Sequence, residues 1–215
     1  MLQDTSTLLL CIRHGETDWN AARRIQGHTD IELNARGLAQ AEALAQALAG
    51  QTLHAVYSSD LRRAHRTAEP LARERGLALR FDPALRERAF GSFEGRSFTE
   101  LETLHAQDCE RWRKRDPDWG APGGGEALLA FQQRIHGALL AIARGHRGQT
   151  VAVVTHGGAL DCLYRIATGQ ELHAPRTWEL RNAAINRLLV SEDHVGLVGW
   201  NDCGHLDQVL DESGA

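Results

Sequence analysis

The sequence predicts an α/β fold, with a mostly parallel central sheet between two layers of helices. Two short apolar runs, at residues 8–12 and 150–154, have the composition of strands that are buried on both faces. Two longer segments, at residues 34–50 and 126–144, place their apolar residues at helical spacing instead. Because strands and helices alternate along the chain, they predict a three-layer α/β/α arrangement.

The first half of the chain is predicted to contain two strands and two helices. Residues 8–12 form the first strand, and Asn34 is expected to cap a helix that continues to about residue 50. The apolar positions assigned to one face of this helix are Leu38, Ala41, Leu44 and Leu48. Residues 55–57 form the second strand. Ser59 or Asp60 is expected to cap the next helix, which Pro70 should kink or interrupt.

The second half begins with residues 88–124, which show no clean periodicity and include two tryptophans and two prolines. We predict that this segment is a flap or insertion over the active site, within a single domain of residues 1–215. A helix at 126–144, a strand at 150–154 and a helix at 157–167 follow. Residues 187–190 and 195–200 are predicted as two further strands, joined by a loop around Asp193.

The composition narrows the classes of partner. The formal net charge of -4 gives no general attraction to nucleic acid or to an anionic membrane, so neither is expected as a partner. The four cysteines are scattered without the spacing of a zinc site, and the N-terminal segment lacks the features of a signal peptide. We therefore expect a cytoplasmic protein with reduced thiols, no metal and no cofactor.

Two of the predicted strands end in a similar way. The first is followed by Arg13, His14 and Gly15, and the strand at 150–154 is followed by Thr155 and His156. In α/β sheets, ligands bind beyond the carboxyl ends of the strands. If the two strands are parallel neighbours, both imidazoles and the Arg13 guanidinium converge beside the N-terminus of the helix after His156. This arrangement predicts an anion site that contains a nucleophile.

Phosphoryl transfer explains why such a site would use histidine. A neutral imidazole can attack phosphorus and form a phosphohistidine, which divides one difficult displacement into two easier ones. Arginine suits the charge on the transferring group because its guanidinium is permanently charged and planar. Positive neighbours also disfavour protonation of the histidine, and a separate carboxyl group must protonate the leaving oxygen.

The motifs of this chain resemble those of the histidine phosphatase superfamily, in its phosphoglycerate mutase-like branch. The matching segments are RHGETDWN at 13–20, RIQG at 24–27 followed by Asp30, SSDLRRA at 58–64, LRE at 85–87 with GSFEG at 91–95, and THGG at 155–158. They extend from residue 8 to about residue 190. One such motif is weak evidence, but five in order are specific.

The resemblance implies a role for each matching residue. His14 would be the phosphorylated nucleophile, Glu87 the acid and base, and Arg13, Arg63 and His156 the groups that bind the transferring phosphoryl group. Asn20, Gln26 and Gly27 would line the substrate side, and Gly157 would offer its backbone N–H. The resemblance also implies the phosphoglycerate mutase-like form of the α/β/α fold.

Three functions stay open at this stage. A phosphatase acting on small phosphorylated metabolites is preferred over a phosphoglycerate mutase, because only 68 residues separate Glu87 from His156, fewer than in the mutases. A non-catalytic module that binds phosphoesters is the third.

The sequence also leaves a homodimer open. The basic run Arg111, Arg113, Lys114 and Arg115 is expected to be a solvated face, with attraction of an anionic substrate as the alternative.

Overall fold

A computed structural model describes residues 6–192 and 194–207. Its central feature is one six-stranded sheet. The strands are β1 (Thr7–Arg13), β2 (Ala55–Ser58), β3 (Leu79–Phe81), β4 (Thr150–Thr155), β5 (Ile185–Val190) and β6 (Val195–Asp202). They are ordered β3-β2-β4-β1-β5-β6. The four strands from β3 to β1 are parallel to one another. β5 pairs with β1 in the antiparallel sense, and β6 pairs with β5 in the antiparallel sense. The prediction of a mostly parallel sheet is therefore confirmed.

Helices cover both faces of this sheet, as the three-layer prediction requires. The described residues contain α1 (Asp18–Ala21), α2 (Ala35–Ala47), α3 (Arg62–Glu74), α4 (Phe98–Leu104), α5 (Ala106–Arg113), α6 (Leu128–Arg144) and α7 (Gly157–Thr168). Buried side chains of α6 and α7 pack on one face of the sheet, and those of α2 and α3 pack on the other. The core therefore consists of two apolar layers separated by the sheet.

The register of β1 and β4 positions the two predicted histidines. The strands are parallel neighbours in which Arg13 pairs with Thr155. The backbone N–H of His14 donates to the carbonyl of Thr155 at 2.9 Å. His14 and His156 consequently leave the sheet side by side at its carboxyl edge.

Several details of α2 and α3 differ from the sequence predictions. Asn34 caps α2 as expected, but Leu38 is 45% exposed and does not join the buried face. Leu61, not Ser59 or Asp60, is the N-cap residue of α3, and it makes no side-chain capping bond. The two predicted caps are used elsewhere: the Ser59 hydroxyl contacts His156, and the Asp60 carboxylate binds an arginine side chain.

Pro70 does not interrupt α3, so that part of the prediction was wrong. The helix continues through Pro70 to Glu74. Pro70 itself is buried, and buried alanine and leucine residues on both sides of it hold the helix against the sheet. Tertiary packing of this face therefore outweighs the loss of one backbone hydrogen bond.

Residues 88–124 contain more structure than the sequence indicated. They include α4, α5 and a short 3-10 turn at Gly91–Phe93. Their buried side chains form a small separate core of Phe93, Leu101, Cys109, Trp119 and Ala121. The role of this segment as a flap, and the single domain of residues 1–215, stay predictions.

Two further sequence predictions concern residues near the sheet edge and the thiols. A loop was predicted around Asp193, and Asp193 itself lies outside the described residues. All four cysteines, which lie within the described part, are free. Between residues 6 and 207, residue 193 apart, the helices are too short or too polar to cross a membrane.

Candidate active site

His14 follows β1 directly and is only 3% exposed. Its Nδ1 lies 2.7 Å from the carbonyl oxygen of Gly15. Because a carbonyl oxygen can only accept, Nδ1 must carry the hydrogen, and the neutral ring then has its lone pair on Nε2. The backbone thus orients the imidazole with one nitrogen free to act as a nucleophile.

His156 is fully buried and lies beside His14. The centroids of the two rings are 5.2 Å apart, and the rings are tilted by 58°. His156 Nε2 shares a hydrogen bond of 2.9 Å with Ser59 Oγ. Its Nδ1 is buried and has no hydrogen-bond partner among the described residues.

Two guanidinium groups accompany the histidines. Arg63, in the first turn of α3, is fully buried, and its Nη1 and Nη2 donate to the carbonyls of Thr29 and Gly27 at 2.9 and 2.7 Å. Arg13 donates through Nη1 to the carbonyl of Leu180. In both arginines, Nε is buried without a hydrogen-bond partner in the part of the chain described. Two arginines thus retain buried donor groups near two imidazoles.

The electrostatics of this group favour neutral histidines. Burial lowers the pKa of His14 well below its ordinary value, and the positive charges of Arg63 and Arg13 lower it further. Burial likewise lowers the pKa of His156, again with help from Arg63. Burial also lowers the pKa of Arg63, but only to about 10. At neutral pH, the arginines therefore stay charged while both imidazoles are uncharged.

Glu87 lies beside the N-terminus of α7. Its Oε2 accepts a hydrogen bond of 2.9 Å from the backbone N–H of Gly158, and its Oε1 accepts one of 2.9 Å from the N–H of Arg88. A cleft of about 570 Å³ opens here, lined by Arg13, Glu87, Gly157, Gly158, Arg176, Trp178, Glu179, Leu180 and Arg181. Glu87 therefore lines an open cleft together with Arg13 and the first two residues of α7.

Asn20 and Gly157, two of the other residues predicted to bind substrate, are each connected to this group of side chains in a different way. Asn20, in α1, is linked to His14 through Asn182, whose Nδ2 donates to the carbonyl of His14 at 2.9 Å and to Oδ1 of Asn20 at 3.3 Å. Gly157 begins α7, and a Cβ on it would lie 3.3 Å from Nε of Arg13. The absence of a side chain at 157 thus leaves the helix N-terminus open beside the arginine.

Gly27 contributes a backbone carbonyl to the site, and Gln26 has a buried side-chain amide. Gly27 has a φ of +52°, which suits glycine, and its carbonyl binds Arg63. Gln26 is buried, and its Oε1 has no hydrogen-bond partner within the described residues. The structure therefore brings both residues to the arginine side of the centre, and their contact with substrate stays a prediction.

The family model of the histidine phosphatase superfamily, branch 1, matches residues 9–203. This chain belongs to that superfamily. The resemblance identified from the motifs is thereby confirmed. The matched range includes the five predicted catalytic residues, which are Arg13, His14, Arg63, Glu87 and His156.

Individual relatives of this chain carry different names. Phosphoglycerate mutase-like protein 4 of Arabidopsis thaliana is 37% identical over 203 residues, which cover 93% of this chain and 87% of that protein. YhfR of Bacillus stearothermophilus has a TM-score of 0.86 at 30% identity, covering 94% of this chain and 100% of its own. A mutant phosphoserine phosphatase of Entamoeba histolytica, in complex with phosphoserine, has a TM-score of 0.84 at 28% identity. The match covers 93% of this chain and 99% of that protein.

Several residues that organise the site of this superfamily member were not singled out from the sequence. Ser59 contacts His156, and Thr67 accepts from the backbone N–H of Gly15 at 2.8 Å while donating to the carbonyl of Arg63 at 2.6 Å. Asn182 binds the carbonyl of His14 from 168 residues away. Only Ser59 lies inside a recognised motif, where its hydroxyl had been interpreted as a helix cap.

Glu94 organises the loop that binds Arg63. Its carboxylate accepts hydrogen bonds from the backbone N–H groups of His28, Thr29 and Phe90 at 3.0, 2.8 and 2.9 Å, and from the Thr29 hydroxyl at 2.6 Å. These four bonds close the loop whose carbonyls, on residues 27 and 29, hold Arg63. The sequence signal for Glu94 was its place in the GSFEG motif.

The basic run is a solvated face only in part. Arg111, Arg113 and Lys114 are exposed and paired with Asp116, Glu102 and Glu110, respectively. Arg115 differs, because it is half-buried and bound to Asp161 of α7 and to the carbonyl of Leu172. For Arg115 the prediction of a solvated residue was wrong, since a buried carboxylate pairs with it. No three His, Cys, Asp or Glu side chains cluster as metal ligands in residues 6–192 and 194–207.

Proposed function

We propose that this protein is a phosphatase that hydrolyses phosphate monoesters of small metabolites through a phosphohistidine on His14. The observation that carries the proposal is the state of the His14 ring: it is neutral, fixed by Gly15, and has its lone pair on Nε2. Three buried donors without partners among the described residues, Nε of Arg13, Nε of Arg63 and Nδ1 of His156, belong to the same centre. A tetrahedral dianion would satisfy them.

In the first chemical step, His14 Nε2 attacks phosphorus and the bond from phosphorus to the ester oxygen breaks. The guanidinium groups of Arg13 and Arg63 stabilise the charge on the equatorial oxygens. Glu87, in its protonated form, gives its proton to the leaving oxygen, so that an alcohol departs. Glu87 is left as a carboxylate.

In the second step, the Glu87 carboxylate takes a proton from water as that water attacks phosphorus. The bond from phosphorus to Nε2 breaks, inorganic phosphate leaves, and His14 returns to its neutral form with Nδ1–H still on Gly15. Arginines supply the positive charge that Mg²⁺ supplies in many other phosphoryl-transfer enzymes. A chelator such as EDTA should therefore leave turnover intact.

A mutase is the second candidate, and the name of the Arabidopsis relative favours it. It would share the covalent step but return the phosphoryl group to a substrate oxygen. The phosphatase is preferred because only 68 residues lie between Glu87 and His156. The long helix α6 and strand β4 take up many of them, which leaves α4 and α5 as the two helices of residues 88–124. A short cover leaves water better access to the phosphohistidine.

The decisive assay measures released phosphate and isomerised phosphoglycerate together, with and without added bisphosphoglycerate. The proposal expects phosphate release from a panel of monoesters, and loss of at least about a thousandfold in kcat for His14→Ala. Isomerisation that depends on bisphosphoglycerate would make the protein a mutase. Tight phosphate binding without turnover on the whole panel would make it a binding module instead.

A further inference from the structure

The carbonyl of Gly15, which fixes the His14 ring, belongs to the trans peptide group that joins residues 15 and 16. The same group carries the backbone N–H of Glu16, and this N–H donates to Oε1 of Gln40 at 2.8 Å. Because a trans peptide is planar, its N–H and C=O point in opposite directions and turn together. Gln40 therefore holds one side of a rigid group whose other side accepts from Nδ1 of His14.

The side chain of Gln40 makes this contact inside the protein. Gln40 lies in the second turn of α2 and is only 5% exposed, so water competes little for the hydrogen bond. A backbone N–H can only donate, so the contact also fixes which end of the Gln40 amide faces Glu16. The amide oxygen of one buried side chain thus determines how the peptide group is oriented.

The first turn of α2 packs directly against the same peptide group. A Cβ on Gly37 would lie 2.1 Å from the carbonyl oxygen of Glu16, and a Cβ on Gly15 would lie 2.6 Å from the carbonyl oxygen of Gly37. The backbone N–H of Asn34 donates to the carbonyl of Glu16 at 3.0 Å. Helix and loop therefore meet backbone to backbone, and Gln40, three residues after Gly37, is held at a fixed distance from the loop.

The charge on His14 changes in the reaction proposed above. When Nε2 attacks phosphorus, its lone pair becomes the new bond, and the ring, which keeps its hydrogen on Nδ1, gains a positive charge. The Gly15 carbonyl then accepts from a cation, which makes a stronger hydrogen bond than a neutral ring does. A peptide group whose N–H is itself hydrogen-bonded is polarised, so its carbonyl accepts more strongly. The contact from Gln40 consequently stabilises the transition state more than the ground state.

We propose that Gln40 is a positioning residue for the nucleophile, acting on His14 through the peptide group between residues 15 and 16. This inference rests on the proposed function, which it deepens by assigning a residue that controls the reactivity of His14. The alternative is that Gln40 does no more than satisfy a buried N–H of the loop. The two roles differ in one respect: a purely structural contact would leave the Nδ1–H hydrogen bond and the reactivity of the folded protein unchanged.

The test uses the full chain with Gln40→Met, Gln40→Glu or Gln46→Met. Methionine has a similar shape to glutamine but is only a weak acceptor, whereas glutamate keeps an acceptor oxygen at the same place. Gln46→Met is the matched control, because it makes the same change at an exposed position of α2. The measurements are kcat/KM for p-nitrophenyl phosphate, the dissociation constant of inorganic phosphate, and the NMR resonance of the His14 Nδ1–H, assigned by its loss in His14→Gln.

We expect Gln40→Met to lower kcat/KM roughly 3- to 10-fold, the value of one net hydrogen bond, with the dissociation constant of phosphate changed less than about twofold. Its Nδ1–H resonance should move to higher field, the direction of a weaker hydrogen bond. Gln40→Glu should retain most of the activity, and Gln46→Met all of it. Unchanged kcat/KM or an unmoved resonance in Gln40→Met, an equal loss of phosphate affinity, or a Gln40→Glu as slow as Gln40→Met overturns the inference.

Two provisions keep the result interpretable. If Gln40→Met does not fold, Gln40→Asn replaces it with the same expectations, since its amide stays polar but is one methylene too short to reach Glu16. In the wild type, a His14 hydrogen found on Nε2 would also overturn the inference. The proposed function fails separately, if the wild type releases no phosphate from p-nitrophenyl phosphate or any other monoester. The shift of the Nδ1–H resonance requires no turnover and decides the role of Gln40 in either case.

Discussion

The hydroxyl of Ser59 and the ring of His156 share a hydrogen bond of 2.9 Å between Oγ and Nε2, across 97 residues of sequence. His156 is neutral at neutral pH, because burial and Arg63 lower its pKa. If the serine hydroxyl donates to Nε2, the ring hydrogen must be on Nδ1, the nitrogen without a partner in the described chain. Ser59 thereby selects the tautomer that can donate to an anion.

Removal of this hydroxyl should weaken phosphate handling while leaving the fold intact. In Ser59→Ala, His156 can carry its hydrogen on either nitrogen, so part of the donor to the phosphoryl group is lost. We expect kcat/KM for p-nitrophenyl phosphate to fall roughly 3- to 10-fold, the value of one net hydrogen bond. Ser92→Ala is the control, because Ser92 is exposed and bonds only within residues 88–124. Equal activity of the two variants would refute the tautomer argument.

The two buried neutral histidines should make the free energy of unfolding depend on pH. The pKa values of His14 and His156 are lowered in the folded protein, so below about pH 6.5 the unfolded chain binds protons that the folded chain does not. Stability is therefore complete above pH 6.5 and is lost as the pH falls. Between pH 7.5 and 5.5, the two residues should together remove roughly 2–3 kcal/mol.

Chemical denaturation at these two pH values measures this effect. A variant with both His14→Gln and His156→Gln lacks the two titrating groups but keeps hydrogen-bonding side chains. Its stability should fall less than that of the wild type over the same interval, by the 2–3 kcal/mol given above. A wild type and a double variant with the same pH dependence would show that neither histidine is held neutral by the fold.

Glu94 should support activity through Arg63 without touching the substrate. Burial raises the pKa of its carboxyl group, but the hydrogen bonds from Thr29, His28 and Phe90 outweigh burial and hold the pKa below its ordinary value. In Glu94→Gln, an NH₂ group replaces one acceptor oxygen and faces N–H donors. We expect about 1–3 kcal/mol of lost stability and a higher KM, because the loop carbonyls no longer hold Arg63 in place.

Glu102→Gln is the matched control for this variant, since Glu102 is exposed and its ion-pair partner in the described part of the chain is Arg113. Thermal unfolding and steady-state kinetics on p-nitrophenyl phosphate measure both effects. The proposal that Glu94 positions Arg63 is wrong if Glu94→Gln loses stability with kcat and KM unchanged.

The sequence predicted the central residues of the site better than the residues that hold them in place through hydrogen bonds. His14, His156 and Arg13 could be located because two apolar runs end in similar residues, and parallel strands bring such ends together. Arg63 and Glu87 came from the motif resemblance, since a charged residue on a polar helix or loop has no distinguishing pattern of its own. Ser59 and Asn182 could not be assigned, because their contacts join segments 97 and 168 residues apart.

The same limit explains the errors in the fold. Pro70 predicted an interruption of α3 because local propensity disfavours proline inside a helix, but buried neighbours on both sides keep the helix continuous. β3 is only three residues long and half-exposed or exposed, so no apolar run marked it. Arg115 looked like its three basic neighbours, and only the tertiary structure places it beside Asp161.

Gly158→Ala should separate the position of Glu87 from the stability of the protein. A Cβ at residue 158 would lie 2.3 Å from Oε1 of Glu87 and 3.3 Å from the ring of Phe131. The carboxylate is the mobile end of a side chain, so it can move aside at little cost in stability. Displaced from its place, Glu87 would protonate the leaving oxygen poorly, and general acid catalysis is worth roughly 10²- to 10⁴-fold.

The choice of substrate makes this prediction specific. p-Nitrophenolate is a good leaving group that needs little help from an acid, so Gly158→Ala should lower its turnover far less than the turnover of an alkyl phosphate. Gly137→Ala in α6 is the control, because a Cβ there meets no atom of the described residues within 4 Å. It should gain roughly 0.5–1 kcal/mol of stability with both activities unchanged. Equal losses on the two substrates in Gly158→Ala would mean that Glu87 is not the acid.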